Sequence, residues 1–325
     1  MAFHAGFDIL QYPGTAMDWL KANTNLVWCG YYLAPAPNRP TSGWMGTLGA
    51  IRQKWGVLPI YVGQQDPSTG SGSHVPSGIL TKAQGAIDGT AACRLAAGEG
   101  FARGSFVYLD WESGSLSAAG STDYIAAWIS TVAADGRAQP GIYCSHVIAQ
   151  NIASLIRAMN PAPNVRFFCW KVSNASAHPF AGNIASLPEI DPTGCGFAGA
   201  QSWQREQNAV VTFPNGAPVH SLTMDFSTSS LADPGLPAAI VADQIEAMAG
   251  GAAAPARPQA RRARKAKKAT RKAPAVKASG RSKVKKARKK SAAGKKRKSS
   301  VKRAQNPASA KKKKSRKAAK SKRRG

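Results

Sequence analysis

Ser105-Phe106-Val107-Tyr108-Leu109-Asp110-Trp111-Glu112 reads as a buried strand that ends on two acids. From Phe106 to Leu109 it is unbroken in apolar and aromatic residues, the composition of a strand covered on both faces. Upstream, Leu80, Ala83, Ile87, Ala91 and Leu95 step by three or four residues, the spacing of one helix face. Downstream, Tyr124, Ile125, Trp128, Ile129 and Val132 repeat that pattern after Ser121-Thr122-Asp123, an N-cap cluster. The central strand is thus flanked by two amphipathic helices. Seven further apolar or β-branched runs, at 3–9, 26–32, 57–62, 140–144, 165–171, 198–203 and 220–226, are bounded by turn residues. Shorter helices fit 15–22, 44–55 and 146–158. Strand and helix alternating eight times in about 230 residues predict an α/β fold, a (β/α)8 TIM barrel, whose usual size is about 250 residues.

Two places break the pattern. Residues 173–197, between the sixth and seventh strands, are rich in Gly, Pro, Asn and Ser and show no helical period, so an irregular stretch is expected there. Gln64–Gly78 carries Pro-Ser-Thr-Gly-Ser-Gly-Ser and reads as a mobile flap or surface loop. Beyond the last strand, Pro237–Met248 fits one closing helix.

In a barrel of this kind, functional side chains gather where the strands end. Those positions supply Asp8, Asp110, Glu112 and Asp225 as candidate catalytic carboxylates. They supply Tyr31, Tyr61, Gln64, Tyr143, Trp203 and Gln204 as candidate substrate-binding groups. Acids beside flat rings suit a sugar: acids for proton transfer and oxocarbenium stabilisation, rings for stacking. Asp110 and Glu112, two residues apart on a strand, share one face with Cα atoms about 6.6 Å apart. So close a pair cannot ionise independently, and one member is expected to stay protonated at neutral pH. Their spacing leaves retention and inversion both open.

Gly6-Phe7-Asp8, Tyr108-Leu109-Asp110-Trp111-Glu112, Pro140-Gly141-Ile142-Tyr143, Trp203-Gln204 and Met224-Asp225-Phe226 together resemble the glycoside hydrolase family 25 muramidases. Tyr31-Tyr32-Leu33-Ala34-Pro35 and Leu58-Pro59-Ile60-Tyr61-Val62-Gly63-Gln64-Gln65 bring the likeness closer to a related bacterial group, glycoside-hydrolase-like barrels of unknown function. The resemblance covers roughly residues 3–230. It implies cleavage of the β-1,4 bond from N-acetylmuramic acid to N-acetylglucosamine in peptidoglycan. Glu112 then matches the general acid, and Asp110 the carboxylate that steadies an intermediate formed with the substrate's N-acetyl group. Asp8 and Asp225 match acids that shape the site, and Trp203 a wall of the sugar cleft. A non-catalytic glycan-binding barrel remains the alternative, because fold does not imply function.

Charge divides the 325 residues. Of 45 Lys+Arg, 33 fall in 251–325, which holds no Asp, Glu, Phe, Trp or Tyr; 1–250 keeps 12 basic against 16 acidic residues, a net of −4. A segment so charged and so poor in aromatics cannot bury enough apolar surface to offset its ordering entropy. The expected organisation is a barrel over 1–248 and a disordered polycationic tail over 249–325. The tail resembles in composition the lysine/alanine-rich tails of bacterial histone-like proteins. Its basic blocks, within 257–324, are expected to bind a polyanion by counterion release, whether DNA, RNA or an anionic wall polymer. A polyanion-binding protein acting through its tail is a further alternative reading.

No apolar run approaches the ~20 residues that cross a bilayer, and the first residues show no basic and apolar signal pattern. Synthesis in the cytoplasm, with any delivery to the wall by a non-standard route, is the expectation. Cys29, Cys93, Cys144, Cys169 and Cys195 are odd in number and never CxxC, and read as buried thiols. The five His show no HExxH or paired spacing, so neither metal nor cofactor is expected. Oligomeric state has no signature in the sequence.

Overall fold

Apolar runs flanked by helices must bury both faces, and in the computed structural model of the protein they do so by closing a barrel. The structure describes residues 2–67 and 78–237. In order come β1 (His4–Asp8), α1 (Ala16–Asn23), β2 (Leu26–Tyr32), α2 (Leu48–Ile51), β3 (Gly56–Val62), α3 (Lys82–Glu99), β4 (Ser105–Trp111), α4 (Ser121–Asp135), β5 (Ala138–Ser145), α5 (His146–Arg157), β6 (Arg166–Trp170), β7 (His178–Pro179), β8 (Ala200–Thr212) and β9 (Ser221–Ser229). β1 to β6 pair in chain order and in parallel. β8 lies parallel to β6, and β9 closes the ring between β8 and β1. Among the described residues, eight strands therefore form a closed α/β barrel, with the two-residue β7 beside the far end of β8.

The eight strand positions agree with the sequence reading, but the last strand differs in direction. β9 is antiparallel to both neighbours. The connection from Thr212 to Ser221 is too short for a parallel return, which needs about a dozen residues or more, and Pro214-Asn215-Gly216 turns it into a hairpin. β8 is correspondingly longer than the run at 198–203, because it continues beyond the barrel to pair with β9. Residues 173–197 hold two short 3-10 turns, Ile184–Ser186 and Pro192–Cys195, in place of a helix. The helix expected over 44–55 is confined to α2, and Trp44 before it is pinned by its Nε1–H to the Ile9 carbonyl at 3.1 Å. α4 starts at Ser121 with Gly120 as its cap residue, so Ser121-Thr122-Asp123 lies inside the helix. The closing helix over 237–248, the tail and most of the Gln64–Gly78 loop lie outside the described residues.

The lower barrel interior is filled by Trp28, Phe106, Tyr108 and Phe168, all fully buried, with Trp28 edge-on to Phe168 at 5.9 Å. Arg166 closes the base. Its guanidinium stacks 3.8 Å from the Phe106 ring and donates to the Pro234 and Leu236 carbonyls at 2.8 Å each. Gly6 makes room for this packing: a Cβ there would sit 2.0 Å from Trp28 Cε2. Gly6→Ala is therefore expected to cost about 3 kcal/mol and to lower Tm by about 10 °C in thermal unfolding followed by circular dichroism. All five cysteines are buried free thiols, matching the sequence reading.

Candidate active site

Above that apolar plug the inward positions turn polar, and four carboxyl groups meet. Asp8 ends β1, Asp110 lies near the end of β4, Glu112 follows β4, and Asp225 sits in the middle of β9, directly opposite Asp8 in register. An antiparallel β9 thus delivers Asp225 from mid-strand rather than from a strand end. Gly30 on β2 permits the packing around Asp8, since a Cβ at Gly30 would lie 2.6 Å from Asp8 Cβ.

Asp8 is buried, and its Oδ1 accepts a 2.8 Å bond from the Tyr32 hydroxyl. Its Oδ2 is buried without a hydrogen-bond partner among the described residues. Burial, then the neighbouring Asp225 charge, hold the Asp8 carboxyl well above the ordinary carboxylate range. Asp110 is similarly raised, by burial first and then by the neighbouring Glu112 charge. Asp110 Oδ1 likewise has no partner among the described residues. Glu112 is the more accessible member of the pair.

Asp225 has the most complete set of donors. Its Oδ1 accepts the Asn208 backbone N–H at 2.6 Å and its Oδ2 the Gln204 Nε2–H at 3.0 Å. Those bonds favour the ionised form, but burial outweighs them, and its pKa is pushed up to about 7. Asn208 can point its N–H inward because β8 bulges between Gln204 and Ala209, and Asn208 itself takes a left-handed φ of 56°. Gln204 is fixed in turn by the Tyr143 hydroxyl, which donates to its Oε1. Tyr143, packed edge-on to Phe168 at 4.7 Å, feels all four acids, and burial followed by Glu112 raises its phenol well above the usual range.

The structure brings together Asp8, Asp110, Glu112, Asp225, Tyr143 and Gln204. It does not bring the remaining expected residues to them. Tyr31 alternates away from the barrel interior, packs against Trp44 and Phe101 and donates to Glu99 at the end of α3. Tyr61 also faces α3, where burial and Asp88 raise its phenol. Gln64 accepts the Ile79 N–H at 3.2 Å, so it holds a loop end and does not line the mouth. Trp203 alternates with the inward Gln204 and lies against Gly194, with its Nε1–H on the Lys171 carbonyl at 3.2 Å. Adjacent strand residues face opposite sides, so each dipeptide such as Tyr31-Tyr32 or Trp203-Gln204 can contribute only one member to the site.

Three contributors were missed. Tyr32 is the inward partner of Tyr31, and a strict alternation with Gly30 would have identified it. Gln65 is buried and clamps the acid pair: its Nε2–H donates to the Asp110 carbonyl at 2.8 Å and its Oε1 accepts the Glu112 N–H at 3.0 Å. Asn208 has no sequence signal, because its role depends on the bulge.

The sequence profile of the Rv2525c-like, glycoside hydrolase-like domain matches residues 18–219, more than half of the chain. No curated protein matches. Solved structures with a similar fold include an uncharacterised Bacillus stearothermophilus protein at 17% identity, covering 70% of this chain and 96% of that one with a TM-score of 0.45. The Tat-secreted Mycobacterium tuberculosis protein Rv2525c is 13% identical, with 72% and 96% covered and a TM-score of 0.40. The Clostridium perfringens spore cortex lytic enzyme SleM is 12% identical, with 70% and 67% covered and a TM-score of 0.45.

Proposed function

The chain belongs to the Rv2525c-like, glycoside hydrolase-like family, and from that premise we propose that it hydrolyses a peptidoglycan-type glycan in the manner of a muramidase. One observation carries the proposal: the barrel gathers Asp110 and Glu112 with Asp8 and Asp225 in one mouth, where burial and the neighbouring carboxylates favour a protonated carboxyl. Glu112, the more accessible acid, gives its proton to the leaving glycosidic oxygen as the bond to the anomeric carbon breaks. The pair holds this single proton between them, so its departure through Glu112 leaves Asp110 charged at the moment positive charge develops on the sugar and its acetamido group. Water later adds at the anomeric carbon, and its proton returns to the acid pair. Asp8 and Asp225 shape the polar floor, Tyr32, Tyr143 and Gln204 orient them, and Gln65 sets the angle between the two acids.

Purified peptidoglycan incubated with the full-length chain between about pH 4 and about pH 8 should yield new reducing ends. Glycan retention without any release would instead leave a binding barrel.

The tail is proposed to hold the barrel near its substrate through a polyanion, raising effective concentration. The 33 cationic residues of 251–325 should give binding that weakens steeply with salt. Engagement of even 6–10 DNA phosphates would lower affinity by about 10³–10⁵-fold from 50 to 200 mM. A chain ending at Gly250 should show no such binding in the same titration. A wall-glycan substrate would require export; among the described residues, no helix is long and apolar enough to cross a membrane.

A further inference from the structure

Asp225 and Phe226 are neighbours on β9, so their side chains leave opposite faces of the β8–β9 ladder. Asp225 enters the barrel mouth. Phe226 enters a separate cavity of about 400 Å³ on the outer face, roofed by the irregular segment after β6. That volume lies within the range of small-ligand sites. Its floor is the Phe226 ring with Phe180 against it, centroids 4.8 Å apart.

Its walls are planar polar side chains: Asn174, Asn183, His178, Glu206 and Arg205. His178 Nε2 lies 3.1 Å from Glu206 Oε2, and its Nδ1 lies 2.9 Å from the Ser176 carbonyl. Both ring nitrogens face acceptors, so the imidazolium and the Glu206 carboxylate compensate one another. Arg205 rests over the Trp203 ring at 5.4 Å, and its Nε is buried without an acceptor among the described residues. A desolvated donor with no acceptor is costly in an empty site and becomes useful when a ligand oxygen arrives.

We propose that this outer cavity is a second carbohydrate site, which takes one neutral acylamino-sugar unit. The ring's apolar face lies on Phe180, which Phe226 backs from beneath, and its hydroxyl and amide oxygens meet Arg205, Asn174 and Asn183. The choice of a glycan ligand rests on the proposed function, whereas the site itself rests on its own lining residues. No group from the acid cluster takes part. Such a site would grip wall glycan while the mouth acts on another part of the same polymer.

The test uses full-length chain carrying Glu112→Gln, so that the probe is not consumed, titrated calorimetrically with a chito-oligosaccharide. Two binding events are expected. Adding Phe180→Ala should weaken one of them about tenfold or more and leave the other unchanged. Arg205→Ala serves as a second variant, and an unchanged Tm verifies folding of each. One binding event in all variants, or two that neither substitution affects, would overturn the proposal. Reducing-end release by Phe180→Ala in an otherwise wild-type chain is read separately. Two binding events with no release would overturn the hydrolase reading and leave the outer site standing. Release with a single binding event would do the reverse.

Discussion

Glu112→Gln is expected to lower reducing-end release from peptidoglycan by about 10²–10⁴-fold, with Tm held within a few degrees. The carboxamide keeps the shape of Glu112, and the backbone N–H at residue 112 still meets Gln65 Oε1, so the clamp on the strand end survives. What disappears is the proton. An amide cannot protonate a departing glycosidic oxygen, and Asp110 is too buried to reach past it. A control separates this effect from general damage to the barrel. Trp203→Phe, at a position that packs on the outer side of β8, should change release by less than about threefold. Equal losses in both variants would remove Glu112 from the role of acid.

The second large effect is on stability against pH. Asp8, Asp88, Asp110, Asp225 and Asp233 are all raised in the folded protein, with burial the largest cause for each. A raised carboxyl binds its proton more tightly when folded than when unfolded. Its contribution is complete below the unfolded value near 3.8 and is lost as pH rises through the folded value, about 7 for Asp225. Stability should therefore fall between about pH 4 and about pH 7, the reverse of ordinary acid denaturation, by up to ~4 kcal/mol from Asp225 alone. At 2–4 °C per kcal/mol, Tm at pH 5 should exceed that at pH 8 by about 10 °C.

Asp8→Asn tests the origin of this slope. The new amide oxygen can still accept the Tyr32 hydroxyl, and the other position has no hydrogen-bond partner among the described residues in either case. At low pH, where Asp8 is already neutral, the variant should match wild type. At pH 8 it should be the more stable, because it removes a buried charge and relieves its neighbours. Parallel Tm curves across the whole range would show that the acid cluster does not set the pH response.

The sequence alone determined the eight strand positions, the helices that follow β1 to β5 and the acids placed along the strands. Continuous apolar runs and helical periods are local properties, fixed by which faces must be covered, and they survive folding unchanged. The direction of β9 was not determined in this way, because the runs 198–203 and 220–226 leave room between them for a parallel return, and only the extension of β8 to Thr212 narrows that connection to a hairpin. Tertiary structure decided which member of each strand-end pair enters the mouth. Tyr32 over Tyr31 and Gln204 over Trp203 are matters of register, where a one-residue step exchanges the two faces, whereas Gln65 over Gln64 is set by the path of the loop that follows β3. It also decided the electrostatics. Asp225 is pushed up to about 7 because the barrel buries it, opposed by a donor from Asn208 that exists only where β8 bulges. Proximity between strands distant in sequence sets that balance, and no local pattern encodes it.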